Sequence, residues 1–187
     1  MILNDGITLY HGSYSIVETP DLEKCRTGKD FGKGFYVTTD FDQAKRFVRS
    51  ACRKAVRYGD IPEDTKMGYV SSYIYSANPS NRYHEFSDVG REWLLYVAGN
   101  RKSDLVLVPA AEWNDSDIIA GKIANDTTNE VLTNYINGAY GKPDDDFAIQ
   151  TAIRLLMPGK LKDQICFKTP DALKCLRFNG YIEVPYD

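Results

Sequence analysis

The stretch Phe31–Asp40 combines the features of a ligand site with those of a strand. It contains Gly32 and Gly34, and residues without a Cβ let a backbone turn sharply or approach a ligand closely. The residues that follow are aromatic and β-branched, which is the composition of a strand. Consecutive side chains of a strand point to opposite faces, so one of Phe35 and Tyr36 can fill a core while the other lines a cleft. The pattern predicts a scaffold for binding a ligand and does not name the ligand.

Two more segments carry polar groups at predicted strand ends. They are Leu-Tyr-His-Gly-Ser at residues 9–13 and Gln-Ile-Cys-Phe-Lys-Thr at residues 164–169.

Several common types of ligand-binding site do not fit the sequence. A nucleotide-binding P-loop is excluded because Lys33 stands where its second glycine would fall, and a dinucleotide fingerprint is excluded because Val37 replaces its third. With two histidines in the chain, a histidine-rich metal site is excluded as well.

In this order, the three segments resemble the ADP-ribosyltransferase superfamily. More narrowly, they resemble a bacterial family of unknown function that pairs a Tyr-His-Gly-Ser strand with a Phe-Gly-x-Gly-Phe-Tyr strand. The resemblance extends over nearly the whole chain, including residues 92–101, 117–126 and 164–178. It implies one α+β domain over residues 1–187, with a split mixed β-sheet core and flanking helices. It also implies transfer of ADP-ribose from NAD, as co-substrate and without a metal, to an unidentified protein or nucleic-acid acceptor, with release of nicotinamide.

The resemblance assigns roles to individual residues. His11 would hydrogen-bond the adenosine ribose, and the backbone of Gly12 would close on the nicotinamide carboxamide. Tyr36 would stack on the nicotinamide ring, and Gln164 would orient the nicotinamide ribose. The further contacts to the dinucleotide would come from Ser13, Gly34 and Thr38.

Gln164 departs from the superfamily, which often has a glutamate at this place. A neutral amide orients a ribose hydroxyl but supplies no negative charge to an oxocarbenium-like transition state. Three explanations stay open. The acceptor chemistry tolerates glutamine; or a carboxylate elsewhere, Asp163, Glu183 or Glu92, assists; or the protein binds NAD without turning it over efficiently.

Structural explanations and other classes of function stand beside this hypothesis. Tyr36 can be a core residue, His11 a satisfied strand histidine, and Gln164 an exposed strand start, while the two glycines can form a hairpin turn. The alternatives are a non-catalytic NAD or ADP-ribose binding module and a nucleic-acid-directed protein that uses the basic residues at 45–57. The same basic face is also typical of a solvated helix. Residues 158–163 stand where related enzymes recognise the acceptor.

The composition sets broad limits. The chain has 187 residues, 43% apolar and 26% charged, with a net charge of −3. These values are typical of a soluble globular protein and give no global argument for nucleic-acid binding. No apolar run is long enough to span a bilayer and no signal peptide is evident, so we expect a cytoplasmic protein without membrane partners. The four cysteines lack metal or disulfide spacing.

Periodicity, caps and breakers predict the elements. Helices are expected over 41–58, with Ala44, Phe47, Val48, Ala51 and Ala55 inward, and over 91–100, 127–136, 143–156 and 170–176. Strands are expected at 7–13, 35–39, 69–76, 105–108, 118–123, 164–168 and 181–184.

Overall fold

A computed structural model describes residues 3–102, 113, 115–123, 126–157 and 161–186. Within these ranges the fold is mixed α+β, as predicted. The strands are β1 (Thr8–Ser13), β2 (Phe35–Val37), β3 (Met67–Tyr75), β4 (Tyr83–Glu85), β5 (Ile118–Lys122), β6 (Asp163–Phe167) and β7 (Leu176–Pro185). The α-helices are α1 (Phe41–Tyr58), α2 (Arg91–Arg101), α3 (Asp126–Ile136), α4 (Asp146–Leu156) and α5 (Pro170–Leu173).

The described strands form two sheets. The first has the order β1-β3-β7 and is antiparallel throughout. The second has the order β2-β6-β5-β4, in which β4 and β5 are parallel and the other pairs are antiparallel. The second sheet is therefore mixed.

The two sheets pack face to face and helices cover their outer faces. The core between the sheets joins Phe35 and Phe167 of the second sheet to Leu9 and Tyr73 of the first. The outer face of the second sheet packs on α2, α3 and α4, in a core centred on Trp93. The outer face of the first sheet packs on α1. The layers thus run α1, first sheet, second sheet, then α2, α3 and α4.

Helix α1 has strong local signals and follows its prediction. The Asp40 carboxylate accepts a hydrogen bond from the Gln43 N–H at 3.0 Å, and Gly59 ends the helix at φ 76°. The sheet below is adapted to it, because a Cβ at Gly12 would lie 2.1 Å from the carbonyl oxygen of Ala44. At Gly68 a Cβ would also clash with the helix. Glycine at these positions lets α1 lie directly on the first sheet.

One inward-facing side chain of α1 was predicted wrongly. Phe47 is 45% exposed and does not belong to a core. The buried stripe of α1 is narrower than the sequence pattern indicated, because it packs on a sheet along one face only. Its buried apolar residues are Ala44, Val48, Cys52 and Ala55.

The last strand is longer than predicted. We expected a turn at Asn179-Gly180 and a strand from Tyr181, but β7 is continuous from Leu176. Ser72 pairs with Gly180 and Tyr73 with Phe178, so Asn179 is an extra residue in a β-bulge. Gly180 makes this possible at φ 126°, a conformation that other residues avoid. The short strand β4 was not predicted, and the strand expected at 105–108 lies outside the described residues.

Candidate functional site

Among the described residues, one isolated backbone bridge joins β1 of the first sheet to β2 of the second, and the pairing does not continue beyond it. The Tyr10 N–H donates to the Thr38 carbonyl at 2.8 Å, and the Thr38 N–H donates to the Tyr10 carbonyl at 3.0 Å. A regular ladder would next pair Gly12 with Tyr36. Instead, the Tyr36 carbonyl lies 2.7 Å from Nδ1 of His11 and accepts its hydrogen bond. The backbone pairing therefore stops at this histidine, and we call the unpaired edges of β1 and β2 beyond the bridge the split.

Backbone groups of both strands point into the split. Consecutive residues of an antiparallel strand direct their N–H and C=O groups to opposite edges, so residues two apart face the same edge. Tyr10 bonds to Thr38 rather than to β3, so Gly12, two residues on, directs its N–H and C=O to the same edge. By the same alternation, the Tyr36 N–H points into the split. The split therefore presents two backbone donors, the N–H groups of Gly12 and Tyr36, and one backbone acceptor, the Gly12 carbonyl.

His11 is held as a neutral ring. Burial lowers its pKa, and the hydrogen bond with the Tyr36 carbonyl opposes that shift only in part. A carbonyl oxygen only accepts, so Nδ1 carries the proton and Nε2 is left as an acceptor. The ring packs against Phe35 with centroids 4.5 Å apart, which fixes its orientation. His11 can therefore accept a hydrogen bond from a hydroxyl of a ligand.

Tyr36 anchors the glycine-rich loop with its hydroxyl. The oxygen accepts from the Phe31 N–H at 3.0 Å and donates to the Gly32 carbonyl at 2.8 Å. The ring is partly buried and stacks on Phe31, while Phe35 points into the core between the sheets. Burial raises the pKa of Tyr36, so the phenol stays protonated. The hydroxyl thus bonds to the backbone of the loop, and only the aromatic ring of Tyr36 could contact a ligand.

Gln164 is buried rather than exposed at the start of β6. Its side chain is 5% exposed, and its Nε2 donates to Oδ2 of Asp30 at 2.9 Å. Oδ1 of Asp30 accepts from Nε and Nη2 of Arg101 at 2.8 and 2.5 Å. Arg101 also donates to Asn129. Gln164 shares a face of the second sheet with Tyr36, since Tyr36 pairs with Cys166 two residues on.

Asp30 is the residue that the sequence did not indicate. It is 6% exposed and lies beside Gln164. No local pattern announces the contact, because the two residues are 134 positions apart. An unpaired buried carboxylate is costly, so its two partners explain why Asp30 can be buried.

The three carboxylates proposed to assist Gln164 lie in different places. Asp163 neighbours it on β6 but forms an ion pair with Lys122 at 3.0 Å. Glu183 lies on β7, at the far edge of the first sheet. Glu92 begins α2 and lines a separate cavity of about 320 Å³. Asp30 is the carboxylate that contacts Gln164.

The remaining predicted contacts are held by the protein itself. The Thr38 hydroxyl donates to the Asp163 carbonyl at 3.2 Å and accepts from the Asp40 N–H at 3.1 Å. Ser13 is 8% exposed at the end of β1. A Cβ at Gly34 would lie 2.4 Å from Sγ of Cys166, so packing alone requires glycine there.

Gln43 adds a polar group at the same junction. Its Nε2 donates to the Asp163 carbonyl at 3.0 Å. Its Oε1 is buried without a hydrogen-bond partner among the described residues. Buried acceptors of this kind are uncommon.

A family model described as "Protein of unknown function (DUF3990)" matches residues 7–178. The match includes all three segments from which the site was predicted. The chain belongs to this family. Neither a curated protein nor a solved structure matches it.

Two negative findings apply to the described part of the DUF3990 chain. No group of three or more histidine, cysteine, aspartate or glutamate side chains there could hold a metal ion. No helix there has both the length and the apolar character needed to cross a membrane.

Proposed function

We propose that this DUF3990 protein is an NAD-dependent mono-ADP-ribosyltransferase whose donor site is the split between β1 and β2. In the reaction, the bond between C1′ of the ribose and the nicotinamide nitrogen breaks, and nicotinamide leaves as a neutral molecule. A bond from C1′ to a nucleophile of the acceptor forms, and the acceptor's proton passes to solvent. No metal is needed for this balance.

The observation that carries the proposal is the pair of strand edges at the split. The N–H and C=O of Gly12 face it, together with the N–H of Tyr36, because His11 has interrupted the ladder. A primary carboxamide has one carbonyl acceptor and an NH₂ donor, so it can replace the missing strand partner. This arrangement suits the amide of nicotinamide.

The side chains around the split suit the rest of the dinucleotide. The neutral His11 offers Nε2 as an acceptor for a ribose hydroxyl. The partly buried ring of Tyr36 provides an aromatic surface, and stacking contributes on the order of 1 kcal/mol beyond the burial of area. The amide of Gln164 can orient a second ribose hydroxyl from the face that it shares with Tyr36.

One observation favours a second candidate, a non-catalytic NAD or ADP-ribose binding module. The carboxylate nearest to Gln164 is Asp30, and Arg101 contacts it with two nitrogens. A carboxylate neutralised in this way stabilises a developing positive charge less than a free one does. The binding module would use the same split but would not release nicotinamide.

The direct test is release of nicotinamide from NAD by the purified protein, with and without cell lysate. For the enzyme, we expect release that falls at least about tenfold in His11→Asn and in Gln164→Ala, each of which removes one hydrogen bond to a ribose. The asparagine can still donate to the Tyr36 carbonyl, so the strand junction survives. Tyr181→Ala, an exposed position on β7 at the far edge of the first sheet, is the control and should release nicotinamide normally.

The other outcomes are distinct. NAD binding that His11→Asn weakens, without release under any condition, would identify the binding module. Neither release nor binding by a folded protein would contradict the proposal and its alternative alike.

A further inference from the structure

The solvent face of α1 is strongly basic in a chain of net negative charge. The helix has six basic residues and one acidic residue, whereas the whole protein has a net charge of −3. All six basic side chains are exposed. We call them the basic ridge: Lys45, Arg46, Arg49, Arg53, Lys54 and Arg57.

The cations of the basic ridge outnumber the single carboxylate of their own helix, Asp42. Among the described residues, none of the six forms an ion pair with a carboxylate, although ion pairs occur elsewhere on the surface. Six like charges on one helix repel each other, which opposes folding. An external polyanion would remove that repulsion.

Two aromatic side chains are exposed along one flank of the ridge. Phe47 is 45% exposed and Tyr58 is 59% exposed. They are eleven residues apart, close to three helical turns, so they share a flank, with Lys54 between them. The guanidinium of Arg26 lies 4.6 Å from the centre of the Tyr58 ring and brings a seventh cation to this flank.

We propose that the basic ridge and its two aromatic side chains bind single-stranded nucleic acid. Proteins bind single strands by combining cations that follow the phosphates with aromatic rings on which bases stack. Four of the six ridge residues are arginines, whose planar guanidinium matches phosphate oxygens in pairs. An acidic polypeptide would neutralise the same charges but would have no bases to cover Phe47 and Tyr58.

The ridge leads to the split. Gln43, in the first turn of α1, bonds to the strand that carries Gln164, and Gly12 lies directly beneath Ala44. A strand lying along α1, which is about 27 Å long, therefore ends at the proposed donor site. The inference that nucleic acid is the acceptor rests on the proposed function, whereas the binding itself does not.

The test is fluorescence anisotropy with labelled oligonucleotides in about 50 mM salt and again in about 200 mM salt. The ridge variant is Arg46→Ala/Arg53→Ala/Arg57→Ala. Its matched control is Lys142→Ala/Arg154→Ala/Arg177→Ala, which removes the same charge from exposed positions outside α1. Both replace surface residues by alanine, and circular dichroism checks that they fold.

We expect single-stranded DNA or RNA to bind more tightly than a duplex and to lose affinity as salt rises. The ridge variant should bind at least about tenfold more weakly, and the control should bind within about twofold of the unchanged protein. Phe47→Ala should weaken binding of a base-carrying strand at least about fivefold and leave an abasic strand unaffected. Preference between DNA and RNA decides which one is the physiological strand.

Four results would overturn the inference. They are no oligonucleotide binding at low salt, equal losses in the ridge variant and its control, an effect of Phe47→Ala on the abasic strand equal to that on the base-carrying strand, and tighter ridge-dependent binding of polyglutamate than of any oligonucleotide. None of these depends on nicotinamide release, so failure here and failure of the proposed enzyme are separate results.

Discussion

The burial of His11 makes the stability of the protein depend on pH. Its pKa in the folded protein lies below the value of 6.5 for a free side chain, so the unfolded state binds more protons in this range. Stability from His11 is therefore complete above about pH 6.5 and is lost as the pH falls through the folded pKa. Urea unfolding from pH 8 to pH 5 should show this loss, and His11→Asn, which has no titrating ring, should reduce it. An unchanged pH profile in the variant would contradict this assignment.

Gln164 contacts its neighbour Asp30 through its side-chain amide. In Gln164→Glu, a second carboxylate would face Oδ2 of Asp30 in place of an N–H donor. We expect a loss of about 1–3 kcal/mol in the free energy of unfolding at neutral pH. Part of it should return in mild acid, where one of the two carboxyls can take up a proton. Equal stability of the variant and the unchanged protein at neutral pH would show that the amide is dispensable.

At the scale of residues, the sequence identified the groups that local patterns reveal. His11, Gly12 and Tyr36 lie together at the split as the order of the motifs suggested, while their roles toward NAD stay predictions. Asp30 was not predicted as a site residue because its position in the site depends on contacts with Gln164 and Arg101, which are distant in the chain. A buried ion pair leaves no periodic trace in a sequence.

Helix α1 depends on the absence of a Cβ at Gly12. An added methyl would collide with the backbone carbonyl of Ala44, which cannot move without displacing the helix. We expect Gly12→Ala to lower the free energy of unfolding by more than about 2 kcal/mol, as overpacking does. Gly90→Ala is a matched control, since its Cβ would meet only the movable carboxylate of Asp88, and it should cost less than about 1 kcal/mol. Equal costs in the two variants would contradict the packing explanation.

Arg101 fastens the segment before β2 to the end of α2. Removing it in Arg101→Met leaves the buried carboxylate of Asp30 without its cation. We expect a loss of about 3–5 kcal/mol in the free energy of unfolding. The double variant Arg101→Met/Asp30→Asn should recover a large part of that loss, because no buried charge remains. No recovery would mean that Arg101 acts mainly through the packing of its aliphatic stem.

At the scale of elements, prediction succeeded where caps and periodicity are local. Helix α1 was predicted over 41–58, and Asp40 and Gly59 cap it at these bounds. The prediction of strand β7 was too short because Asn179-Gly180 has the composition of a turn. Only the pairing with β3 shows that these residues form a bulge. Phe47 was predicted to lie in the core because helical spacing locates the centre of an apolar helix face. The same spacing does not determine how wide the buried part of that face is.

At the scale of the whole molecule, the packing of two sheets between helices depends on contacts that no single segment encodes. The same alternation that gives Phe35 to the core between the sheets gives Tyr36 to the opposite face. The split exists because one strand from each sheet meets the other at a single bridge. The sequence could supply the residues of this junction, but their arrangement follows from the register of both sheets.

The most direct measurement of the central claim is amide hydrogen exchange by NMR with and without NAD. The N–H groups of Gly12 and Tyr36 face the split, whereas those of His11 and Ser13 already belong to the ladder with β3. If the split binds nicotinamide, NAD should slow exchange at Gly12 and Tyr36 and change His11 and Ser13 much less. Unchanged exchange at both split amides in the presence of saturating NAD, or protection confined to another part of the chain, would contradict it.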